Sequence, residues 1–404
     1  MLTWRSTAVA ALTAVLVSGC SSPTSPPAAK SGAAPTTAAG PATPPDPKAA
    51  HGDGAALENV PWDQVGPGWM LATWTLHPYS PGDPPPTDTS AAYTLYLVDP
   101  SGDRYPITTI PTDSQGYAGA SLVDWSGDGG RALLYAWSGE TTVVDLHSGE
   151  QTKVPTSGTA RLNPTFTLPS GKALLRVLDN DRQPPTLERI DLTGKRELLY
   201  PTDKLGSRFS GAYLSTPDGT QLILGSDAGL TVMANDGTLV RSISKPRGTD
   251  TCGPVRWWDG EPGTILMSCG PSPTDQPQLW LVPFAGGTPT VLTAPNMQEA
   301  DFNAWHVKAG TFVQTAFQCG ELILEKLNSD GTTSRVSVPG VDPKRELDVI
   351  GVSDDNLIVR AHPSCNPGSA LIDYDPTANT STVLLGGTVN GGSVGQALLY
   401  PGQG

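Results

Sequence analysis

Short apolar runs alternate with compact polar turns along most of this 404-residue chain. One unit recurs seven times, at intervals of about 43 to 49 residues: a strand-like run, a turn rich in Asp, Ser or Gly, and a second run. Gly and Asn accept positive φ at little cost, so such turns join antiparallel strands whose alternating side chains bury one face. The turns are VDPSGDRYPI from Val98, VDLHSGEQTKV from Val144, IDLTGKRELLY from Ile190, MANDGTLVRSI from Met233, VPFAGGTPTVL from Val282, LNSDGTTSRVSV from Leu327 and YDPTANTSTVLL from Tyr374.

A repeat of this length predicts one four-stranded antiparallel sheet per unit, with the sheets arranged radially as a β-propeller. Each unit has the order inner strand, short turn, second strand, variable loop, third strand, short turn, outer strand. The first unit begins near Trp62 and the last ends near Leu385, which leaves residues 396–400 over. We therefore predict an all-β, seven-bladed β-propeller whose ring is closed by this C-terminal strand beside the first blade.

The N-terminus has the features of a signal sequence. Arg5 precedes an apolar run over residues 8–17, which has the length of a signal-peptide core and is too short to span a bilayer. The small residues before Cys20 resemble the bacterial lipobox, in which cleavage leaves the cysteine as the lipid-bearing N-terminus. The alternative is an ordinary secretory signal with an incidental cysteine.

Residues 21–57 are mostly Ser, Pro, Ala, Thr and Gly and cannot bury a core. We expect a lipoprotein signal peptide over residues 1–20, a disordered tether over 21–57 and the propeller over 58–404. The protein would then lie outside the cytoplasm, held to the outer face of the cell membrane by its lipid alone.

Four further cysteines fit an oxidising compartment. Cys252 and Cys269 flank a strand pair symmetrically about its turn, which places the two sulfurs across adjacent antiparallel strands. Cys319 and Cys365 fall one residue apart in register, each just after the second strand of consecutive blades, so they could join two blades. The alternative is four free buried thiols.

Two segments resemble the WSPDG-type repeat of TolB-like propellers: Val123-Asp124-Trp125-Ser126-Gly127-Asp128-Gly129 and Ser215-Thr216-Pro217-Asp218-Gly219. Together with the lipobox and the opening segment over residues 61–69, the chain resembles the TolB-like lipoproteins of actinobacteria. TolB carries an additional N-terminal α/β domain that binds a Tol-Pal partner, and nothing before Leu57 could form one. The resemblance therefore implies a scaffold and transfers no translocation function.

Composition and motifs exclude several classes of function. A net charge of −14 argues against nucleic acid, which requires a basic footprint. The five histidines show no paired spacing and the calcium-loop spacing is absent, so we expect no metal and no cofactor. The letters G-x-S-x-G around Ser393 lack a later His and indicate a glycine-rich loop.

The loops after the second strands are long and variable, whereas the first and third turns are short. Strand alternation puts these loops and the connections between blades on one face, where binding residues are commonly carried by a rigid scaffold. Tolerated insertions are the alternative. The candidate ligand-binding residues are His77, Tyr79, Arg182, Arg247, Trp258, Arg345 and His362. Trp258 is a candidate because it should point away from its neighbour Trp257, which occupies a position that packs between blades.

Two functions fit these patterns. The first is a non-enzymatic binding or scaffold propeller that recognises a protein or a cell-envelope polymer through the long-loop face. The second is an extracytoplasmic hydrolase or lyase acting at the central channel, because paired carboxylates cleave glycosides. Its candidate residues, placed near the channel by the inner-strand register, are Asp124, Arg256, Asn303 and Asp348. Because a fold alone does not imply chemistry, the sequence favours the binding protein.

Overall fold

The propeller predicted from the repeats is confirmed: seven sheets, antiparallel except for one added edge strand, form seven blades, and the described residues contain almost no helix. The first six sheets have four strands and the seventh has five. The computed structural model describes residues 48–78, 92–113, 117–156, 163–180, 183–270, 276–295, 300–316, 321–363 and 368–401.

Blade 1 consists, from the centre outward, of β29, β2, β3 and β4; blades 2 to 6 use β5 to β24 in consecutive fours, and blade 7 uses β25 to β28 with β1 at its outer edge. In chain order the strands are β1 (Lys48–Ala49), β2 (Met70–Thr75), β3 (Ala92–Val98), β4 (Arg104–Pro111), β5 (Ser121–Trp125), β6 (Arg131–Tyr135), β7 (Thr141–Asp145), β8 (Gln151–Val154), β9 (Thr165–Phe166), β10 (Ala173–Asn180), β11 (Gln183–Asp191), β12 (Arg196–Leu199), β13 (Phe209–Ser215), β14 (Gln221–Ser226), β15 (Gly229–Ala234), β16 (Leu239–Ser244), β17 (Thr251–Trp257), β18 (Thr264–Gly270), β19 (Gln278–Pro283), β20 (Thr290–Val291), β21 (Ala300–Val307), β22 (Gly310–Ala316), β23 (Leu322–Leu327), β24 (Thr333–Arg335), β25 (Arg345–Ser353), β26 (Asn356–Pro363), β27 (Ala370–Asp375), β28 (Thr380–Leu385) and β29 (Ser393–Leu399).

Helix is limited to three single turns in the described residues: two 3₁₀ turns at Leu57–Asn59 and Thr202–Lys204, and one α-helical turn at Gly387–Asn390. None of the described helices has the length and apolar character needed to cross a membrane.

The ring is closed by the C-terminal strand, as the leftover run predicted. β29 pairs antiparallel with β2 from Met70↔Leu399 to Thr75↔Ser393 and becomes the innermost strand of blade 1. Strand edges that would otherwise be unpaired are thereby satisfied at the point where the first and last blades meet.

The N-terminal segment of the described chain is attached to the outside of this junction. β1 pairs in parallel with β28, and Ala55 N donates to Arg104 O of blade 1 at 3.0 Å. The structure thus has the chain joined to the propeller from residue 48, whereas the sequence placed the boundary at 58. Backbone hydrogen bonds make this attachment, and the small, polar composition of the segment gives no sign of it.

Seven apolar clusters of described residues lie between neighbouring blades, one at each interface. Turn glycines allow the blades to approach closely at their edges. Gly194 of blade 3 has φ +84°, and a Cβ on it would lie 2.0 Å from Pro155 O of blade 2. Only glycine fits both this backbone conformation and this distance.

A β-bulge recurs between the two innermost strands of six blades, which places at least one extra residue on the inner strand. In blade 5 it lies between Pro254 and Arg256, and in blade 6 between Asp301 and Asn303. A bulge increases the local twist and changes which side chain points to which face. The bulges therefore determine which residues reach the central channel.

We predict that a chain ending at Gly392 will not fold. The truncation removes β29, so β2 loses its inner partner and the buried Val394 and Ala397 are lost from the junction. The expected loss is comparable to the whole stability of a domain, about 5–15 kcal/mol. Far-UV circular dichroism and thermal unfolding measure it.

A chain lacking only residues 402–404 is the control and should unfold at the temperature of the full chain. A folded chain with unchanged melting temperature after removal of β29 would contradict this account of closure.

Candidate functional site

The two faces of the disc have different loops, although the loop after the second strand, predicted to be long, is short in blades 2 and 4, at residues 136–140 and 227–228. Each blade consists of consecutive antiparallel strands, so the loop after its second strand and the connection to the next blade lie at the same end. We call this end the long-loop face. The opposite end, the short-turn face, carries the turns between first and second strands, such as residues 216–220, and between third and fourth strands, such as residues 235–238.

The candidate ligand-binding residues do not converge on one site. His77 and Arg247 are exposed on the long-loop face, in blade 1 and in the connection from blade 4 to blade 5. Tyr79 and Arg182 lie outside the described residues. Trp258 follows β17 and so lies at the short-turn face, apart from the others.

Arg345 and His362 are the two candidates that the fold brings together. They lie at the long-loop end of β25 and β26, where Glu346 pairs across the strands with His362. Arg345 Nη1 donates to Gly368 O at 2.6 Å, and His362 Nε2 is 3.6 Å from Glu346 Oε2. Both side chains thus help to hold the end of blade 7.

The cysteine predictions have different outcomes. Cys252 and Cys269 face each other on β17 and β18 and form a disulfide with a Cα–Cα distance of 4.2 Å. Cys319 and Cys365 lie outside the described residues, so the staple between blades 6 and 7 stays a prediction, as does the lipid on Cys20. The described residues contain no group of three or more His, Cys, Asp or Glu that could hold a metal.

Large apolar side chains are exposed on the long-loop face of blades 1 and 2. Trp137, in the turn between β6 and β7, is 83% exposed. Leu76 after β2 is 54% exposed, and Tyr117 in the connection between the two blades is 43% exposed. Sequence reasoning missed Trp137 because the β6–β7 turn is short and only the long loops were considered as binding loops.

A cavity of about 580 Å³ lies where the inner strands end at the short-turn face. Arg256 and Asn303 of the enzyme hypothesis line it, together with Asp259. Arg256 Nη2 donates to Asp259 Oδ1 at 2.9 Å, and its guanidinium lies 5.5 Å from the Trp305 ring centroid. Burial raises the pKa of Asp259 and lowers that of Arg256.

The other two residues of the enzyme hypothesis, which do not line this cavity, bond to strands of the fold. Asp124 Oδ2 accepts a hydrogen bond from Phe166 N of blade 3 at 2.6 Å. Asp348 Oδ2 pairs with Arg360 Nη2 at 2.9 Å. The cavity that Arg256 and Asn303 line is therefore not lined by the carboxylate pair of the enzyme hypothesis.

A second cavity of about 640 Å³ lies between blades 4 and 5 and adjoins the first, with which it shares Trp257 and Asp259. We call it the aromatic groove. Its walls come from the turns at 216–221 and 257–263 and from one residue after β19, namely Thr216, Pro217, Asp218, Thr220, Gln221, Trp257, Trp258, Asp259, Pro262, Gly263 and Phe284.

The aromatic side chains of this groove are held in place. Trp257 Nε1 donates to Ser215 O at 2.9 Å, and the Trp257 and Phe284 rings meet edge-to-face at 5.2 Å. Arg241 lies 4.6 Å from the Phe284 ring centroid. Trp258 is 7% exposed and packs into the interface of blades 5 and 6. The two adjacent tryptophans therefore point to opposite sides of the strand, as the two-residue period predicted.

Aspartates occupy most turns of the short-turn face. The carboxylate of Asp218 accepts hydrogen bonds from the Thr216 hydroxyl and from Thr220, which lower its pKa. Hydrogen bonds from the neighbouring threonine likewise lower the pKa of Asp191, Asp236 and Asp330. Blade 5 lacks an acidic residue in its third turn, residues 283–289, and contributes Phe284 instead. The groove therefore lies on a face that carries many acidic turns, and Asp218 and Asp259 are the acidic residues of its lining.

No family model and no curated protein matches the chain. Similar solved structures include a putative TolB from Agrobacterium tumefaciens, 15% identical over 67% of this chain and 88% of that one, with a TM-score of 0.40. The β-propeller domain of Cps50 (Swd1) from Myceliophteria thermophila is 14% identical over 71% and 95%, with a TM-score of 0.48. The acylaminoacyl peptidase of Pyrococcus horikoshii is 12% identical over 79% and 50%, with a TM-score of 0.49.

This chain spans half the length of that peptidase. A peptidase occurs among these propellers beside a putative TolB, and likeness at this level extends no further than the fold.

Asp124 should make the stability of the protein depend on pH near neutrality. Burial raises its pKa to about 7, although the backbone N–H groups of Phe166 and Trp125 oppose this shift. The folded state therefore holds the proton more tightly than the unfolded state, whose aspartate titrates near pH 4. The contribution of Asp124 to stability is therefore highest below pH 4 and falls as the pH rises to about 7.

We predict that Asp124→Asn is more stable than the unsubstituted protein by about 2 kcal/mol at pH 8 and nearly equal to it at pH 4. The amide oxygen still accepts from Phe166 N without burying a charge. Urea unfolding across this range measures the difference, with Asp128→Asn in an exposed turn of the same blade as control. A stability difference between the two proteins that does not change with pH would contradict the raised pKa of Asp124.

Proposed function

We propose that this chain is an extracytoplasmic, membrane-tethered binding protein without enzymatic activity. Its partner would be a protein or a cell-envelope polymer, recognised through the long-loop face of the propeller. The observation that carries the proposal is the exposed Trp137 on a closed ring, with Leu76 and Tyr117 also exposed on the same face of blades 1 and 2.

Exposed aromatic and aliphatic side chains of this kind support a role in binding. Soluble proteins seldom expose large apolar side chains together, because each loses the free energy that burial would give. Tryptophan and tyrosine are enriched among residues that contribute most to protein interfaces. Because apolar clusters pack the blades, the backbone that carries these side chains needs little ordering on binding.

The location is supported by the N-terminal sequence and by the disulfide. An apolar run over residues 8–17 followed by Cys20 fits a lipoprotein signal, and residues 21–47 have the composition of a flexible linker. The Cys252–Cys269 disulfide fits an oxidising compartment. A lipid on Cys20 would leave the propeller tethered at the outer face of the membrane.

We predict that Cys20→Ala moves the protein from the membrane fraction to the soluble extracytoplasmic fraction, because the substitution removes the residue that would carry the lipid anchor. Fractionation of producing cells and metabolic labelling with a fatty acid measure this outcome. Ser21→Ala is the control and should keep both the label and the membrane association. Equal labelling of the Cys20→Ala protein would overturn lipidation at this residue.

A partner on the long-loop face should be captured by a photoreactive amino acid at position 137. We expect a discrete crosslinked adduct in intact cells when p-benzoylphenylalanine replaces Trp137, because this side chain is exposed and its replacement does not disturb a core. The matched control is the same replacement at Leu239, which is 46% exposed on the outer strand β16.

The adduct should weaken when Tyr117→Ser or Leu76→Ser is combined with the crosslinker at 137. Identical adducts from positions 137 and 239 would count against recognition by this face, whatever the location of the protein.

A further inference from the structure

We propose that the aromatic groove between blades 4 and 5 binds a lysine- or arginine-bearing segment of a partner protein. The groove lies on the short-turn face, so this site is separate from the long-loop surface of the proposed function. Trp257 would contact the cationic side chain and its aliphatic stem, and Asp218 would face its charge. Phe284, which already has Arg241 4.6 Å from its ring centroid, would hold the Trp257 indole edge-to-face.

The shape of the groove suits a side chain that is both apolar and charged. Its volume of about 640 Å³ falls in the range of ordinary ligand sites. Indole and phenyl rings attract cations through their electron-rich faces and pack against the methylene stems of lysine and arginine. The hydrogen bond from Trp257 Nε1 to Ser215 O fixes the indole before a ligand arrives.

Charge selects the class of ligand. Asp218 is ionised and exposed at one wall, whereas Asp259 at the other is paired with Arg256. Acidic turns at Asp191, Asp236 and Asp330 share this face, and the whole chain carries a net charge of −14. Such a surface repels anionic ligands and attracts basic segments through long-range electrostatic interactions.

Hydrogen bonding separates a cation from a neutral saccharide, which aromatic grooves can also hold. Asp218 Oδ1 already accepts from Thr216 Oγ1 at 2.6 Å, Thr220 N at 3.0 Å and Thr220 Oγ1 at 2.9 Å. Few directions remain on that oxygen for sugar hydroxyls, whereas Oδ2, 2.9 Å from Thr220 Oγ1, keeps room for one, so competition between the two ligands decides. The Coulomb attraction to a cation, in contrast, does not need a vacant lone pair.

The test uses the full chain and three fluorescein-labelled octapeptides, in which glycine alternates with lysine, with glutamate or with serine. We expect fluorescence anisotropy to show binding of the lysine peptide alone, weaker at higher salt. Asp218→Asn keeps the turn acceptor and removes the charge, and should weaken binding roughly three- to fivefold. Phe284→Leu keeps apolar volume, removes the ring and should have a similar effect.

Asp330→Asn is the matched control. Asp330, like Asp218, accepts from the threonine two residues later, from Thr332 N at 3.0 Å and Thr332 Oγ1 at 2.6 Å, and lies on the same face outside the groove. The substitution changes the net charge equally, so it should leave binding within about 1.5-fold. Thermal unfolding of each variant confirms that the propeller is intact.

Equal weakening by Asp218→Asn and Asp330→Asn would overturn the proposal, because binding would then follow overall charge. Failure of the lysine peptide to bind would do the same. So would competition by a neutral hexasaccharide that displaces the peptide from the intact groove. None of these results bears on the crosslink at Trp137, so the two surfaces are tested independently.

Discussion

Pairing of β29 with β2 is the interaction on which the rest of the propeller depends. The strand also bonds to both neighbouring blades: Val394 N donates to Ser369 O of blade 7, and Leu122 N of blade 2 donates to Gln396 Oε1. Residues from the two ends of the described chain thus form the innermost layer of one blade. Closure of this kind leaves no open gap in the ring, and each blade then packs between two others.

Stability and function are divided between the inside of the ring and its faces. Apolar clusters fill the seven interfaces between blades, so the faces are free to carry residues that packing does not require. The long-loop face exposes Trp137, an apolar anchor. The short-turn face carries ionised aspartates around an aromatic groove. One disc therefore presents two surfaces that differ in chemistry.

The recurring bulges connect the fold to the candidate site. An extra residue on the inner strand moves the following side chain to a new direction, and Arg256 and Asn303 are the first paired residues after the bulges of blades 5 and 6. Both line the cavity of about 580 Å³ where the inner strands end at the short-turn face. Asp124, which follows the bulge of blade 2, instead bonds to blade 3. Similar register positions thus have different surroundings in different blades.

The sequence by itself determined the architecture. Seven spaced turns specify seven blades because each turn needs residues that accept its backbone conformation. The apolar run at residues 396–400, left over after the last repeat, predicted the strand that closes the ring. The register of Cys252 and Cys269 was also readable, since both lie in one hairpin whose turn fixes the pairing. These features depend on residues close to one another in the chain.

Contacts between distant segments were decided only by the tertiary structure. The groove needs Trp257, Phe284 and Asp218, which come from two blades, and no local pattern states that their turns meet. Trp258 lies on the short-turn face because the strand ends there, which loop length alone did not reveal. The attachment at Lys48 rests on backbone hydrogen bonds that any composition can make. The spacing of turns and strands along the chain determines the repeats. A site between two blades depends on how the blades pack, and this packing is determined by the closed ring as a whole.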